Sequence, residues 1–138
     1  MANQNRFVLD SYALIGYLED EPFSNTIQHT LLSARKKECQ LFLHAIQLGE
    51  VYYIAFREQG KSSADLAYNR IKNFPLTIIS SLDEPLLLKA AEIKAGYPVS
   101  YADAFAAATS VVFGAVLMTG DSEFAALEKE KIIAVQWL

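Results

Sequence analysis

Four acidic residues stand where a buried strand would give way to a helix, or within the first turns of a helix. They are Asp10, Glu50, Asp103 and Asp121. The carboxyl ends of parallel strands share one edge of a sheet, and the crevice beyond that edge binds ligands in such folds. Carboxylates gathered there repel one another unless a cation compensates them. Hard divalent cations bound through oxygen provide that compensation and promote chemistry at phosphate groups.

Three of these acids also have a structural interpretation. Asp10 precedes Ser11 at the start of a predicted helix, where its carboxylate can accept hydrogen bonds from free amides. Ser100 and Asp103 have the spacing of a capping box, and Asp121 lies where an acid stabilises a helix N-terminus. Both interpretations remain open for each acid taken alone. The metal-site hypothesis therefore rests on the occurrence of all four acids at equivalent positions.

Glu50 is the acid that is hardest to explain structurally. It lies in an apolar segment, residues 48–56, and a carboxylate buried among such side chains needs a partner. A structural partner would be a basic side chain or a tyrosine hydroxyl. A functional partner would be a metal ion or its bound water. We favour the metal because the other three acids have equivalent positions.

Strand and helix patterns alternate along the chain, which predicts an α/β fold in which a parallel sheet has helices on both faces. The predicted strands are 6–9, 39–43, 76–79, 115–118 and 132–137. The predicted helices are 11–19, 23–37, 45–58, a helix capped by Ser62 or Ser63 that ends before Phe74, 84–96, 101–109 and 122–130. With these elements, the four acids should meet at one edge of the sheet.

Length, composition and charge exclude several classes of protein. The 138 residues, 52% of them hydrophobic, suit a single domain, and one cysteine excludes an internal disulfide or a cysteine-cluster zinc site. The sequence has no apolar stretch for a membrane span and no signal peptide, so we expect a soluble cytoplasmic protein without a membrane partner. The net charge of −4 argues against a broad basic surface for nucleic acid, but it does not exclude a nuclease. Glycine motifs for nucleotide cofactors are missing.

Four segments together resemble the PIN-domain nucleases, in particular the VapC-type toxins of toxin–antitoxin pairs. The segments are residues 8–14 (VLDSYAL), 49–51 (GEV), 100–108 (SYADAFAAA) and 119–124 (TGDSEF). The resemblance spans nearly the whole chain and implies a three-layer α/β/α sandwich with a central parallel sheet of four to five strands, formed by residues 1–138 as one domain.

The same resemblance implies an activity and a set of partners. It implies an endoribonuclease that hydrolyses RNA phosphodiester bonds with Mg²⁺ or Mn²⁺, held by carboxylates at Asp10, Glu50, Asp103 and Asp121. It also implies a homodimer that is neutralised by a cognate antitoxin. Ser11, Ser100 and Thr119 are candidates to hydrogen-bond these carboxylates, waters or phosphate; equally, they can be helix caps and turn residues.

Two other functions remain as alternatives. One is a PIN-fold binding module without catalytic activity, in which the acids are structural. The other is a metal-dependent phosphatase, although Asp10-Ser11-Tyr12 lacks the second aspartate that haloacid-type phosphatases place two residues after the first. A receiver domain would have an early acidic pair and a lysine after a late strand, and these features are missing from the sequence.

Overall fold

A parallel sheet forms the centre of the fold, and the computed structural model describes residues 2–138. Within those residues the sheet has five strands in the order β3-β2-β1-β4-β5, and every neighbouring pair is parallel. The strands are β1 (Asn3–Leu9), β2 (Gln40–His44), β3 (Thr77–Ile79), β4 (Ala115–Thr119) and β5 (Val135–Trp137). The predicted parallel sheet of four to five strands is confirmed.

Seven α-helices connect and cover the strands within the described part of the chain. They are α1 (Ser11–Leu18), α2 (Ser24–Arg35), α3 (Ala45–Gln59), α4 (Lys61–Lys72), α5 (Glu84–Gly96), α6 (Tyr101–Val112) and α7 (Ala125–Lys129). Among residues 2–138, no helix combines the length and the apolarity needed to cross a bilayer.

Two hydrophobic cores lie on opposite faces of the sheet, because successive strand side chains point to opposite sides. Leu9 packs in one core with residues of α1 to α4, whereas Val8 packs in the other with residues of α5, α6 and α7. On α6, the side chains of Ala104, Ala106, Ala107 and Ala108 are all fully buried. Their small size lets α6 lie close to the sheet, which brings the start of this helix to the sheet edge. The structure is the predicted α/β/α sandwich.

The strand order reverses its direction at β1, which lies between β2 and β4. Leu9 pairs with Met118, so that Asp10 and Thr119 follow at the carboxyl ends of adjacent strands. A crevice opens where the order of an α/β sheet reverses, and ligands bind there in this class of fold. The fold therefore places the predicted acids at such a crevice.

Several predicted element boundaries differ from those in the structure. The fourth helix begins at Lys61 and has no side-chain cap at Ser62 or Ser63, because Gly60, with a φ of 91°, turns the chain directly from α3 into α4. The predicted helix at 122–130 is a 3₁₀ turn (Ser122–Phe124) followed by the short α7. Lys131 has a φ of 61° and turns the chain after α7, so β5 is shorter than expected.

Candidate metal centre

Asp10 lies directly after β1 and is almost fully buried, with 1% of its surface exposed. One carboxylate oxygen, Oδ1, accepts a hydrogen bond from the Ala13 amide at 2.9 Å, and Oδ2 accepts one from the Thr119 hydroxyl. The predicted capping of α1 is thus present, and the same carboxylate is held at the sheet edge. Burial raises the pKa of Asp10 to about 7, although both hydrogen bonds oppose this shift.

Three further carboxylates form a cluster beside Asp10. Oxygen atoms of Asp103, Asp121 and Glu123 all lie within 4.8 Å of one another. Asp103 belongs to the first turn of α6, Asp121 follows β4, and Glu123 lies in the 3₁₀ turn. Asp121 Oδ1 accepts a hydrogen bond from the Glu123 amide at 2.9 Å, which holds the two acids on one turn. The fold therefore brings acids from two separate elements to one point.

The environment of Asp103 disfavours its negative charge. Burial is the main reason that the pKa of Asp103 is raised to about 7, and contact with the Glu123 carboxyl adds to the shift. The charges of Asp121, Glu50 and Asp10 raise this pKa further. The other three predicted acids thus all act electrostatically on Asp103. A divalent cation would remove the cause of the repulsion, and a cluster of oxygen donors is what hard cations prefer.

Glu50 is half-buried on α3 and accepts a hydrogen bond from the Ser11 hydroxyl. Its partner is therefore neither the basic side chain nor the tyrosine hydroxyl that we considered from the sequence. The apolar segment around Glu50 is also less buried than expected, since Tyr53 and Phe56 are exposed. Helix α3 buries only one face, and Glu50 lies at the margin of that face. Its carboxylate therefore faces the crevice at the sheet edge.

The three predicted hydroxyl residues differ in what they contact. Ser11 donates to Glu50, as described above. Thr119 donates to Asp10 and accepts a hydrogen bond from the Asp121 amide at 3.0 Å, so it links two of the acids. Ser100 accepts from the Asp103 amide at 3.1 Å and caps α6. Two of the three therefore touch a candidate carboxylate, and Ser100 orients the helix that carries one.

Gln47 and Glu123 belong to the site although sequence reasoning missed them. Gln47 is fully buried; its Oε1 accepts from the Ser11 amide at 2.9 Å, and its Nε2 donates to the Ala102 carbonyl at 2.6 Å. It thereby ties α3 to the starts of α1 and α6. The available signals were a glutamine one helical turn before Glu50 and a second acid two residues after Asp121.

A cavity of about 560 Å³ is lined by most of the candidate carboxylates and by Ser11 and Ser100. The carboxylates that line it are Glu50, Asp103, Asp121, Glu123, Glu19 and Glu21. Asp10 does not line the cavity because it is buried, yet its charge acts on Asp103. The cavity is thus an open, acidic crevice at the carboxyl edge of a parallel sheet.

Most of the chain matches the model of a known protein family. A family model of the PIN domain matches residues 7–130. The chain belongs to the PIN-domain family. The resemblance inferred from the four sequence segments is confirmed, since the match covers most of the chain. None of the curated proteins compared with this PIN domain matches it significantly.

Solved structures share the fold of this PIN domain at low sequence identity. VapBC2 from Rickettsia felis, bound to a DNA fragment from its promoter, is 14% identical with a TM-score of 0.74, covering 96% of this chain and 98% of that one. DNA-bound VapBC from Salmonella typhimurium is 18% identical with a TM-score of 0.72, covering 99% and 98%. VapC20 from Mycobacterium tuberculosis, a toxin that cleaves the sarcin–ricin loop, is 18% identical with a TM-score of 0.66, covering 88% and 93%.

Proposed function

We propose that this PIN domain is a metal-dependent endoribonuclease that hydrolyses RNA phosphodiester bonds and is the toxin of a toxin–antitoxin pair. The observation that carries the proposal is the set of carboxylates at the carboxyl edge of the sheet in a PIN-domain chain, with oxygen atoms of Asp103, Asp121 and Glu123 within 4.8 Å of one another. We extend the domain to residues 1–138, beyond the matched segment.

Asp10, Glu50, Asp103 and Asp121 would hold the cation, for which we propose Mg²⁺ or Mn²⁺. Their donor atoms are all carboxylate oxygens, the ligands that these ions prefer. Glu123 joins the set because it lies against Asp103 and Asp121. When bound, a divalent cation supplies positive charge that neutralises the scissile phosphate and lowers the pKa of water.

The chain's own hydroxyl and amide groups orient these acids. The Thr119 hydroxyl holds one oxygen of Asp10, and the Ser11 hydroxyl holds one oxygen of Glu50. The cap formed by Ser100 fixes the first turn of α6, and with it the backbone of Asp103. Groups that act on a phosphate must be held in place before the substrate arrives, because reorganisation during the reaction costs rate.

The biological role rests on the structural relatives. Several of them are VapBC complexes, and VapC20 is described as cleaving the sarcin–ricin loop, which is RNA. By analogy we propose that this PIN domain acts on RNA in the cytoplasm, forms a homodimer and is neutralised by a cognate antitoxin protein.

Cleavage of mixed cellular RNA by the purified, partner-free protein tests the activity. We expect cuts with added Mg²⁺ or Mn²⁺, no cuts with chelator, and loss of the cuts in Asp103→Asn. Asp65→Asn is the matched control, because Asp65 is an acid of α4 that contacts Lys61 and Tyr52 and does not line the cavity.

Two results would contradict the proposal. A folded protein that neither cleaves RNA nor binds metal in calorimetry would be the non-catalytic binding module. Metal-dependent hydrolysis of a phosphomonoester without RNA cleavage would instead identify a phosphatase.

A further inference from the structure

An aromatic pair lies on the wall of the acidic cavity and has no role in the site described so far. The rings of Tyr12 and Phe23 stack with their centroids 5.6 Å apart and their planes inclined by 21°. Both residues line the same cavity as Asp103 and Asp121. Tyr12 is 43% exposed although it is a large aromatic side chain. An aromatic surface therefore faces the same space as the carboxylates.

Two glycines leave the room that these rings occupy. A Cβ atom added at Gly120 would overlap the Tyr12 ring, and one added at Gly16 would overlap the Phe23 ring. Neither glycine has a positive φ, so the backbone conformation does not require glycine there. Because Gly120 directly precedes Asp121, the Tyr12 ring lies beside the carboxylate cluster. The chain thus holds the aromatic pair at a defined place next to the proposed reaction centre.

The charges around the Tyr12–Phe23 pair favour binding of some parts of a nucleotide over others. Glu19 and Glu21 line this cavity, and no lysine or arginine is among its described lining residues. Without a cation beside them, these carboxylates would repel a phosphate group. A nucleobase is uncharged, has a flat face for stacking, and carries N–H donors that carboxylates accept. The chemistry therefore favours a base over a phosphate against Tyr12.

We propose that Tyr12, supported from behind by Phe23, stacks on the RNA base adjacent to the scissile phosphate. The carboxylate cluster and the aromatic pair then bind neighbouring parts of one substrate. Unstacked bases of single-stranded RNA bind aromatic side chains in this way, so the preferred substrate is a single-stranded segment or loop. This inference rests on the proposed ribonuclease function, and it adds a base-binding subsite that the metal ligands do not provide.

A double-mutant cycle between the protein and the RNA tests the contact. The substrate is a short oligoribonucleotide that contains one mapped cleavage site, compared with copies that have an abasic residue on either side of the cut. We expect Tyr12→Ala and one abasic substitution each to lower kcat/KM by on the order of 5- to 150-fold, the range for losing one base–aromatic stack. Combining the two should cost little more than either change alone, because both remove the same contact.

Further variants separate stacking from other roles of Tyr12. Tyr12→Phe keeps the ring and should retain cleavage. Gly120→Ala should reduce it by displacing the ring, whereas Gly96→Ala, where an added Cβ meets nothing within 4 Å, should leave it unchanged. Tyr53→Ala removes another exposed aromatic side chain, which lies outside the cavity, and should also have no effect. Metal affinity in calorimetry should be the same in Tyr12→Ala as in the wild type.

The outcomes distinguish this inference from the function on which it rests. If the wild-type protein cleaves no RNA with metal present, the proposed function fails and the subsite fails with it. If the wild type cleaves and Tyr12→Ala cleaves equally well, only the subsite is overturned. Independent, multiplying effects of Tyr12→Ala and the abasic residue would also overturn it. So would a Tyr12→Ala protein that cleaves normally but binds a protein partner more weakly, because the ring would then belong to a protein interface.

Discussion

Two regions at the carboxyl edge of the sheet differ in the groups that contact their carboxylates. We call the first the closed junction; it consists of Asp10, Ser11, Gln47 and Thr119. The second is the open cluster of Asp103, Asp121 and Glu123. In the closed junction the chain supplies hydrogen-bond donors to both oxygens of its carboxylate. In the open cluster the carboxylates face one another. Both carboxylate oxygens of the first region have a hydrogen-bond donor, whereas the mutual repulsion of the carboxylates in the second is relieved by a proton or a cation.

The two regions also differ in why the pKa of Asp10 and that of Asp103 are raised. The pKa of Asp10 is about 7 because burial outweighs the hydrogen bonds that it accepts. The charge of Asp121 also raises the pKa of Asp10. The pKa of Asp103 is likewise about 7, but there no hydrogen bond opposes the effect of burial, and the acids Glu123, Asp121, Glu50 and Asp10 all add to it. A cation placed at the cavity would therefore act most strongly on the open cluster, while the closed junction holds one ligand ready beside it.

The largest expected effect is that of Asp10→Asn. The asparagine oxygen can still accept from the Ala13 amide, and its amide can donate to the Thr119 hydroxyl, so the fold should persist. Only the charge is lost, and we expect RNA cleavage to fall by on the order of 1,000-fold. Cleavage rates and thermal melting of both proteins check this. Unchanged cleavage would remove Asp10 from the mechanism and make the closed junction purely structural.

Gln47→Met should break the link between the two regions. It leaves the Ser11 amide and the Ala102 carbonyl without their buried partner, which we expect to cost about 2–3 kcal/mol in urea unfolding. Because Gln47 holds the starts of α1 and α6, metal affinity in calorimetry should also fall, by roughly 10-fold.

A control separates this role from simple destabilisation. Thr109→Val removes one buried hydrogen bond, from the Thr109 hydroxyl to the Phe105 carbonyl at 2.7 Å, farther along α6. It should lower stability and leave metal affinity unchanged. If Gln47→Met behaves in the same way, then Gln47 supports the fold without positioning the site.

Thr119→Val tests the closed junction alone. It removes the hydroxyl that donates to Asp10 and accepts from the Asp121 amide, and we expect a loss of about 1–2 kcal/mol in the free energy of unfolding. Thr119→Ser keeps both hydrogen bonds and should recover most of this loss in the same denaturation experiment. A valine variant as stable as the wild type would mean that these two hydrogen bonds contribute nothing to the stability of the closed junction.

The smallest expected effect is on how the stability of the metal-free protein depends on pH. The folded-state pKa of Asp103 lies above the ordinary value of 3.8, so between about pH 4 and pH 7 the folded state holds more protons than the unfolded state. Stability should therefore fall as pH rises through this window. Asp103→Asn removes this contribution and should be more stable than the wild type at pH 8 in chelator, by about 1 kcal/mol after allowance for screening by water.

Thermal melting across pH, with and without Mg²⁺, measures this effect. The advantage of Asp103→Asn should shrink toward pH 4, and Mg²⁺ should raise the melting temperature of the wild type more than that of the variant. Identical pH profiles for the two proteins would mean that the open cluster carries no electrostatic strain.

The sequence by itself determined the alternation of strands and helices and the positions of the four predicted acids. Asp10 and Asp121 follow apolar strand segments, and Asp103 follows a serine cap; these signals are local, since they depend on side-chain periodicity and on the amides at helix ends. The local pattern was less informative where one glycine could replace a loop, as at Gly60.

Only the tertiary structure decided which groups meet. The contacts of Gln47 with residues of α1 and α6, the pairing of Ser11 with Glu50, and the place of Glu123 beside Asp103 all join segments that are distant in the chain. Such contacts depend on how closely the helices pack on the sheet and on which side chains the parallel register brings to one edge. Local periodicity carries no information about those distances, because they are set by the packing of the two cores as a whole.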